Sequence, residues 1–267
     1  MLVRIISGAI GAIVLVGVLL GGVMAVNIAL AILGVIAICE MYKSAGVVKN
    51  LVFSISGFAL AAILPFLNGN HKNIFGVIVL YTILILVTML FNHEEVKVED
   101  AAKVYLLTLY ITVFMACIAY IRGMEQGGYL IWTVVIGAFA SDIFAYFVGV
   151  FFGKHKLCPK ISPKKTIEGS IGGVVGSGLC FVLYGFILST QFNATVSYPM
   201  LIGLGVVCAA ISQLGDLIAS IIKRQYGIKD YGKLMPGHGG VMDRCDSLIF
   251  VAPVIYLFLI FVGNILY

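Results

Sequence analysis

Apolar runs follow one another along the whole chain, and polar residues collect in short breaks between them. Runs of roughly 20 apolar residues fall near 4–21, 23–42, 51–67, 74–91, 101–121, 129–152, 167–189, 198–222 and 247–266. None shows the period of two that a strand of a membrane barrel needs. Inside lipid the backbone must satisfy its own hydrogen bonds, so runs of this length predict helices. The pattern predicts an all-α, polytopic integral membrane protein with about nine spans. If the first two runs form one bent hairpin at Gly21-Gly22, the number is eight.

No long soluble segment interrupts the pattern, so residues 1–267 read as a single membrane domain. Within it, 1–130 form an N-terminal helical region. Residues 131–267 form a second membrane region with two polar loops, 153–166 and 223–246, where any catalytic chemistry is expected. A cleaved signal peptide is the competing reading of residues 1–20. The apolar run continues to about Cys39 without a small-residue cleavage site, which favours a retained first helix.

Composition narrows the class further. Hydrophobic residues make up 61% of the chain and charged residues 11%, with mean hydropathy +1.12, which excludes an ordinary soluble domain. The 31 glycines suit helices that pack closely in lipid. The net charge of +5 reads as positive-inside bias, with no nucleic-acid partner expected. With the N-terminus inside, nine spans leave only Lys72 and Arg122 outside, among 17 basic residues. This skew predicts a multi-pass protein of the plasma or inner membrane, with both polar loops in the cytoplasm and the C-terminus outside. Six cysteines without CxxC spacing argue against a disulfide framework or a zinc site. The charged stretch His93–Lys103 reads as a solvated connector.

Against this background Ser220–Ser247 stands out, with eight charged residues among 28. Asp216 lies just before it, inside the eighth span, where an ionisable group costs about 2.5–3.5 kcal/mol at mid-helix. Asp216, Ser220 and Lys223 follow helical spacing and share a face. Asp243 and Asp246 are three apart, so in a helix both carboxylates point the same way and repel unless a positive charge separates them. Arg244 is one candidate, which would make a salt-bridge cluster; a divalent cation is the other. With Asp216 and the glycine run nearby, the cation is favoured, since carboxylates and substrate phosphates are usual Mg²⁺ ligands. Pro236-Gly237-His238-Gly239-Gly240 is either a plain turn or a loop whose N–H groups cradle an anion. His238 fits a general acid or base, a phosphate donor or a simple hydrogen-bond partner.

Two further elements carry polar chemistry. The loop Gly153–Ser170 holds five lysines, with Ser162, Lys164, Lys165 and Thr166 directly before the seventh span. Thr166 is a good N-cap and Glu168 falls in the first turn, so the helix N-terminus is a natural phosphate site. The same lysines could instead attract anionic headgroups. Walker A spacing is absent. Ser141-Asp142 lies in the sixth span, where Asp142 either bonds a neighbouring helix or serves the reaction.

The run Ser220-x-x-Lys223-Arg224-x4-Lys229-Asp230-x5-Pro236-Gly237-His238-Gly239-Gly240-x2-Asp243-Arg244-x-Asp246 closely resembles the signature of the phosphatidate cytidylyltransferase (CDP-diacylglycerol synthase) family. Ser141-Asp142 and Lys156–Gly169 resemble that family's second block. Met235 and Cys245 depart from the pattern, both as apolar substitutions beside the polar positions. The match covers about Ser141–Ser247; residues 1–130 match only as a helical membrane region.

The resemblance implies transfer of the cytidylyl group of CTP to phosphatidic acid, giving CDP-diacylglycerol and pyrophosphate in phospholipid biosynthesis. It also implies Mg²⁺ or a pair of cations, and a homodimer in the bilayer. By the same resemblance Asp216, Asp243 and Asp246 bind metal and form the catalytic set with Lys223, Arg224 and Arg244. Asp142, Ser162, Lys164, Lys165, Thr166, Ser220, Lys229, Asp230, Gly237, His238, Gly239 and Gly240 line the substrates. The competing classes are a CTP-dependent polyprenol kinase of the dolichol kinase type, which would release CDP, and a transporter. Against the transporter, no inverted repeat or pair of broken helices is present.

Overall fold

The computed structural model describes residues 2–47, 50–235, 237, 239–263 and 265–266. Pro236 and the candidate His238 lie outside the described residues. Among these residues the chain forms nine α-helices: α1 (Leu2–Leu20), α2 (Gly22–Ala45), α3 (Leu51–Ile63), α4 (His71–Phe91), α5 (Val98–Gly123), α6 (Gly127–Phe152), α7 (Ile167–Gln191), α8 (Tyr198–Gln225) and α9 (Met242–Phe261). Seven of them, α2 and α4 to α9, are long and apolar enough to cross a membrane. The α3 helix continues into a 3-10 turn, Leu64–Leu67. Together they rise about 28 Å, close to a hydrocarbon core. The protein is an all-α, multi-pass membrane protein.

Three boundaries differ from the sequence reading. First, α9 begins at Met242 rather than near 247, so Asp243 to Asp246 are already helical. Its first N–H groups find acceptors that hydropathy cannot reveal. Second, α9 ends at Phe261 rather than 266. Gly263 (φ 119°) turns the chain, and Leu266 then pairs with Val196 in an antiparallel bridge. Third, the loop at 153–166 contains a hairpin of β1 (Lys156–Cys158) and β2 (Ser162–Thr166).

The chain packs as two compact units. One comprises Met1–Glu125 with Ile228–Arg244, and the other Gln126–Gly227 with Cys245–Tyr267. Residues 228–244, grouped by sequence with the catalytic region, pack in the first unit because a side chain of α2 holds them.

In the first unit α2 packs on α3 and α5, and α4 on the same two helices. Ala37, Ile38, Met41, Val104 and Ile111 are fully enclosed there. Asn50 caps α3 by accepting from Val52 N and Phe53 N, and Asn70 caps α4 by accepting from Asn73 N. Such caps remove orphan donors at helix starts.

In the second unit α6, α7 and α8 pack as a trio. A glycine face on α7 lets the α6 backbone approach. A Cβ on Gly169 would lie 2.6 Å from Ala145 O, and one on Gly173 would lie 2.9 Å from Ser141 O. Small residues at this spacing are how helices associate where lipid offers no hydrophobic drive. The opposite faces expose Ile171, Leu179, Leu183 and Phe186 of α7, as expected of helices solvated by acyl chains.

Candidate active site

Polar links within the second unit bring α6 and α8 into register. Ser141 Oγ donates to Ala209 O at 3.3 Å, and Ser212 Oγ to Ala138 O at 3.4 Å. Buried Gln213 donates to Ser170 O (3.0 Å) and Ser141 Oγ (3.4 Å), and accepts from Ser170 Oγ. These bonds tie α6, α7 and α8 together one residue from Asp142, four from Thr166 and three from Asp216.

Around that knot three carboxylates gather from three helices: Asp142 of α6, Asp216 of α8 and Asp246 of α9. Asp142 Oδ2 accepts from Ser247 Oγ at 3.0 Å, and Asp216 Oδ1 from Ser220 Oγ at 3.4 Å. Lys165, at the end of β2, reaches Asp216 Oδ2 at 2.6 Å. Asp246 feels the charges of Asp216, Lys223 and Asp142; Asp142 feels those of Asp216 and Lys165. Three carboxyl groups and two ammonium groups thus share this part of the second unit. Apart from its ion pair, the enclosed Lys165 Nζ has no hydrogen-bond partner among the described residues. An ammonium group with unused donors is suited to a phosphate.

The hairpin places Lys165 there. Thr166 Oγ1 caps α7 by accepting from Gly169 N at 3.2 Å. Glu168 accepts from Lys154 N (3.1 Å) and His155 N, and meets His155 Nδ1 at 2.6 Å, which braces the entry to the hairpin. Side chains alternate across a strand, so Lys164 is exposed whereas Lys165 turns inward; Ser162 is half-buried. Two lysines that sequence treats alike are thus distinct.

The described residues of Ile228–Arg244 lie in the first unit. Asp243 Oδ2 accepts from Tyr231 N (2.8 Å) and Gly240 N (3.0 Å). Glu40 of α2 accepts from Val241 N (3.1 Å) and Met242 N (3.0 Å). Three successive N–H groups of the glycine loop therefore bind carboxylates of the protein itself. Gly237 (φ 77°) and Gly239 (φ 91°) occupy the left-handed region that favours glycine. In these segments Arg224, Lys229, Asp230 and Arg244 are exposed, and Lys223 is half-buried.

The three residues to which the resemblance assigns metal are therefore placed differently. Asp216 and Asp246 belong to the charge cluster, together with Asp142. Asp243 holds the loop. Among the described residues no group of three His, Cys, Asp or Glu side chains is placed to hold a metal ion by itself. Carboxylate oxygens are the hard donors that Mg²⁺ takes together with waters and phosphate oxygens. Sequence reading missed Glu40 and Gln213. Each is a polar residue inside an apolar span, and that signal alone would have marked them.

The sequence model of the cytidylyltransferase family matches residues 2–262 of the chain. A phosphatidate cytidylyltransferase of Bacillus subtilis (strain 168) is 32% identical over 276 residues, covering 96% of each chain. One of Staphylococcus epidermidis (strain ATCC 12228) is 33% identical over 267 residues, covering 97% of this chain and 99% of that one. One of Aquifex aeolicus (strain VF5) is 37% identical over 174 residues, covering 64% of this chain and 62% of that one.

Proposed function

Since the chain belongs to the cytidylyltransferase family, we propose that it transfers the cytidylyl group of CTP to phosphatidic acid in the membrane, releasing pyrophosphate. The observation that carries this proposal is the cluster of Asp142, Asp216 and Asp246 around Lys165, whose enclosed Nζ keeps donors to spare.

A phosphate oxygen of the lipid forms a bond to the α-phosphorus of CTP, and the bond from that phosphorus to the bridging oxygen of pyrophosphate breaks. The phosphate monoester is itself the nucleophile, so no covalent intermediate on the protein is required. Catalysis then consists of positioning two anionic groups and stabilising the leaving charge. Lys165 donates to a CTP phosphate with the N–H groups its ion pair leaves over. Lys223 adds charge from the α8 terminus, and the exposed Arg224, Lys229 and Arg244 attract the anionic substrates. Asp142 and Ser247 hold the α9 start against α6. Asp216 and Asp246, with Asp142 beside them, would hold Mg²⁺, which when bound neutralises the phosphate oxygens.

The test is detergent-solubilised protein with α-labelled CTP and phosphatidic acid. Label is expected in the lipid together with stoichiometric pyrophosphate. Release of labelled CDP without lipid label would instead identify a lipid kinase. Treatment with EDTA is expected to stop turnover, and added Mg²⁺ to restore it. Full activity without a divalent ion would remove the metal assignment.

The same proposal puts the N-terminus, the hairpin and the loop 226–241 in the cytoplasm, where CTP is found, and has the protein act as a homodimer. The skew of basic residues supports that orientation. Half-buried Cys158, in the hairpin, is expected to resist a membrane-impermeant thiol reagent in intact cells and to react in inverted vesicles. Labelling from outside would reverse the topology.

A further inference from the structure

Glu40 lies in a helix of the N-terminal region, which the family signature does not reach, yet it grips the catalytic segment across 201 residues of sequence. Its Oε1 accepts from Val241 N at 3.1 Å and its Oε2 from Met242 N at 3.0 Å. These are the first N–H groups of α9, which have no partner within their own helix. A carboxylate is the best available acceptor there, because the bonds are charge-assisted and the helix dipole favours it. The side chain is only 9% exposed.

Two glycines clear the space it occupies. A Cβ on Gly232 would lie 2.6 Å from Glu40 Cδ, and one on Gly240 would lie 2.5 Å from it. Asp243 Oδ2 closes the same loop from within, on Tyr231 N and Gly240 N. Tyr231 and Gly240 to Met242 are thus held by two carboxylates, one of them brought by α2. A methyl group at Gly240 would press on the Glu40 carboxylate.

We propose that Glu40 is a positioning residue for cytidylyl transfer. It sets where α9 starts and the rotational phase of its first turn, from which Asp243, Arg244 and Asp246 project. Asp246 follows Met242 at i+4, on the same helical face. This role rests on the assignment of Asp246 to the reaction.

The measurement compares wild type with Glu40→Gln in proteoliposomes, normalised to folded protein, and follows amide exchange at Val241 and Met242 alongside kinetics. Gln keeps the size but turns an NH₂ toward one of the two donors. Exchange at both amides is expected to quicken, and kcat to fall by about 10–10²-fold, the scale of a small misplacement of reacting groups. KM for CTP is expected to stay within about threefold, since no phosphate contact is lost. A purely structural role would lower the yield of folded protein and leave its kcat unchanged. A kcat within about twofold of wild type therefore overturns the proposal, as does unchanged exchange.

If Glu40→Gln does not accumulate, Gly240→Ala decides. Alone it is expected to lower kcat, and Glu40→Asp in the same chain is expected to recover activity, because the shorter side chain withdraws from the new methyl group. Failure of the pair to exceed Gly240→Ala overturns the contact. Should wild type itself not turn over CTP with phosphatidic acid, the assigned reaction fails, and the exchange data still judge the Glu40 grip.

Discussion

Asp246→Asn is expected to lower the rate of CDP-diacylglycerol formation by at least about 10³-fold, or about 4 kcal/mol of transition-state stabilisation. Asn preserves the volume and still offers an oxygen to Ser247 N, which Asp246 Oδ1 accepts at 2.8 Å, so the start of α9 should keep its local structure. What it removes is the charge facing Asp142, Asp216 and Lys223. Without it the cluster offers one carboxylate fewer to a hard cation. The check is label incorporation at saturating CTP, lipid and Mg²⁺, with size-exclusion behaviour compared with wild type. A well-folded variant within tenfold of the wild-type rate would remove Asp246 from the reaction.

Lys165→Met is expected to reduce kcat/KM for CTP by about 10²–10³-fold, the scale of losing a preorganised donor to developing charge. Lys164→Met is expected to cost no more than about tenfold, because Lys164 lies exposed on the opposite face of β2. Leaving-group charge grows in the transition state, so the Lys165 effect should fall on kcat as well as on the CTP dependence. If the hairpin only recruited anionic lipid, the two variants would behave alike, and extra phosphatidic acid in the micelle would rescue both. Loss of the Lys165–Asp216 pair also leaves Asp216 without its ion partner, keeping the hydrogen bond from Ser220 Oγ. The two side chains keep 24% and 29% of their surface, so the stability cost stays below that of a fully buried pair. Equal CTP profiles for wild type and Lys165→Met would refute the assignment.

The spans were legible because lipid imposes one rule on every residue of a spanning segment. Hydropathy alone thus locates nine helices, most within a few residues of their observed ends. Asp142, Asp216 and Asp246 were legible as costly charges at or near apolar spans, and Thr166 as a helix cap. Glu40 carried the same signal as Asp142. It drew no attention because the family signature begins a hundred residues later, and its partners are backbone N–H groups that leave no trace in sequence.

The sequence by itself determined the class of the protein, its helices and its family, because each follows from local pattern or from a contiguous motif. Only the tertiary structure decided which carboxylates share a charge environment, since Asp142, Asp216 and Asp246 come from three helices whose register depends on serine and glutamine bonds and on glycine contacts between them. It also decided that Lys165 and not Lys164 faces Asp216, through the pairing of β1 with β2. And it decided that the glycine loop wraps protein carboxylates, because the donors at the start of α9 must be satisfied and Glu40 of α2 is the acceptor brought within 3.1 Å of them.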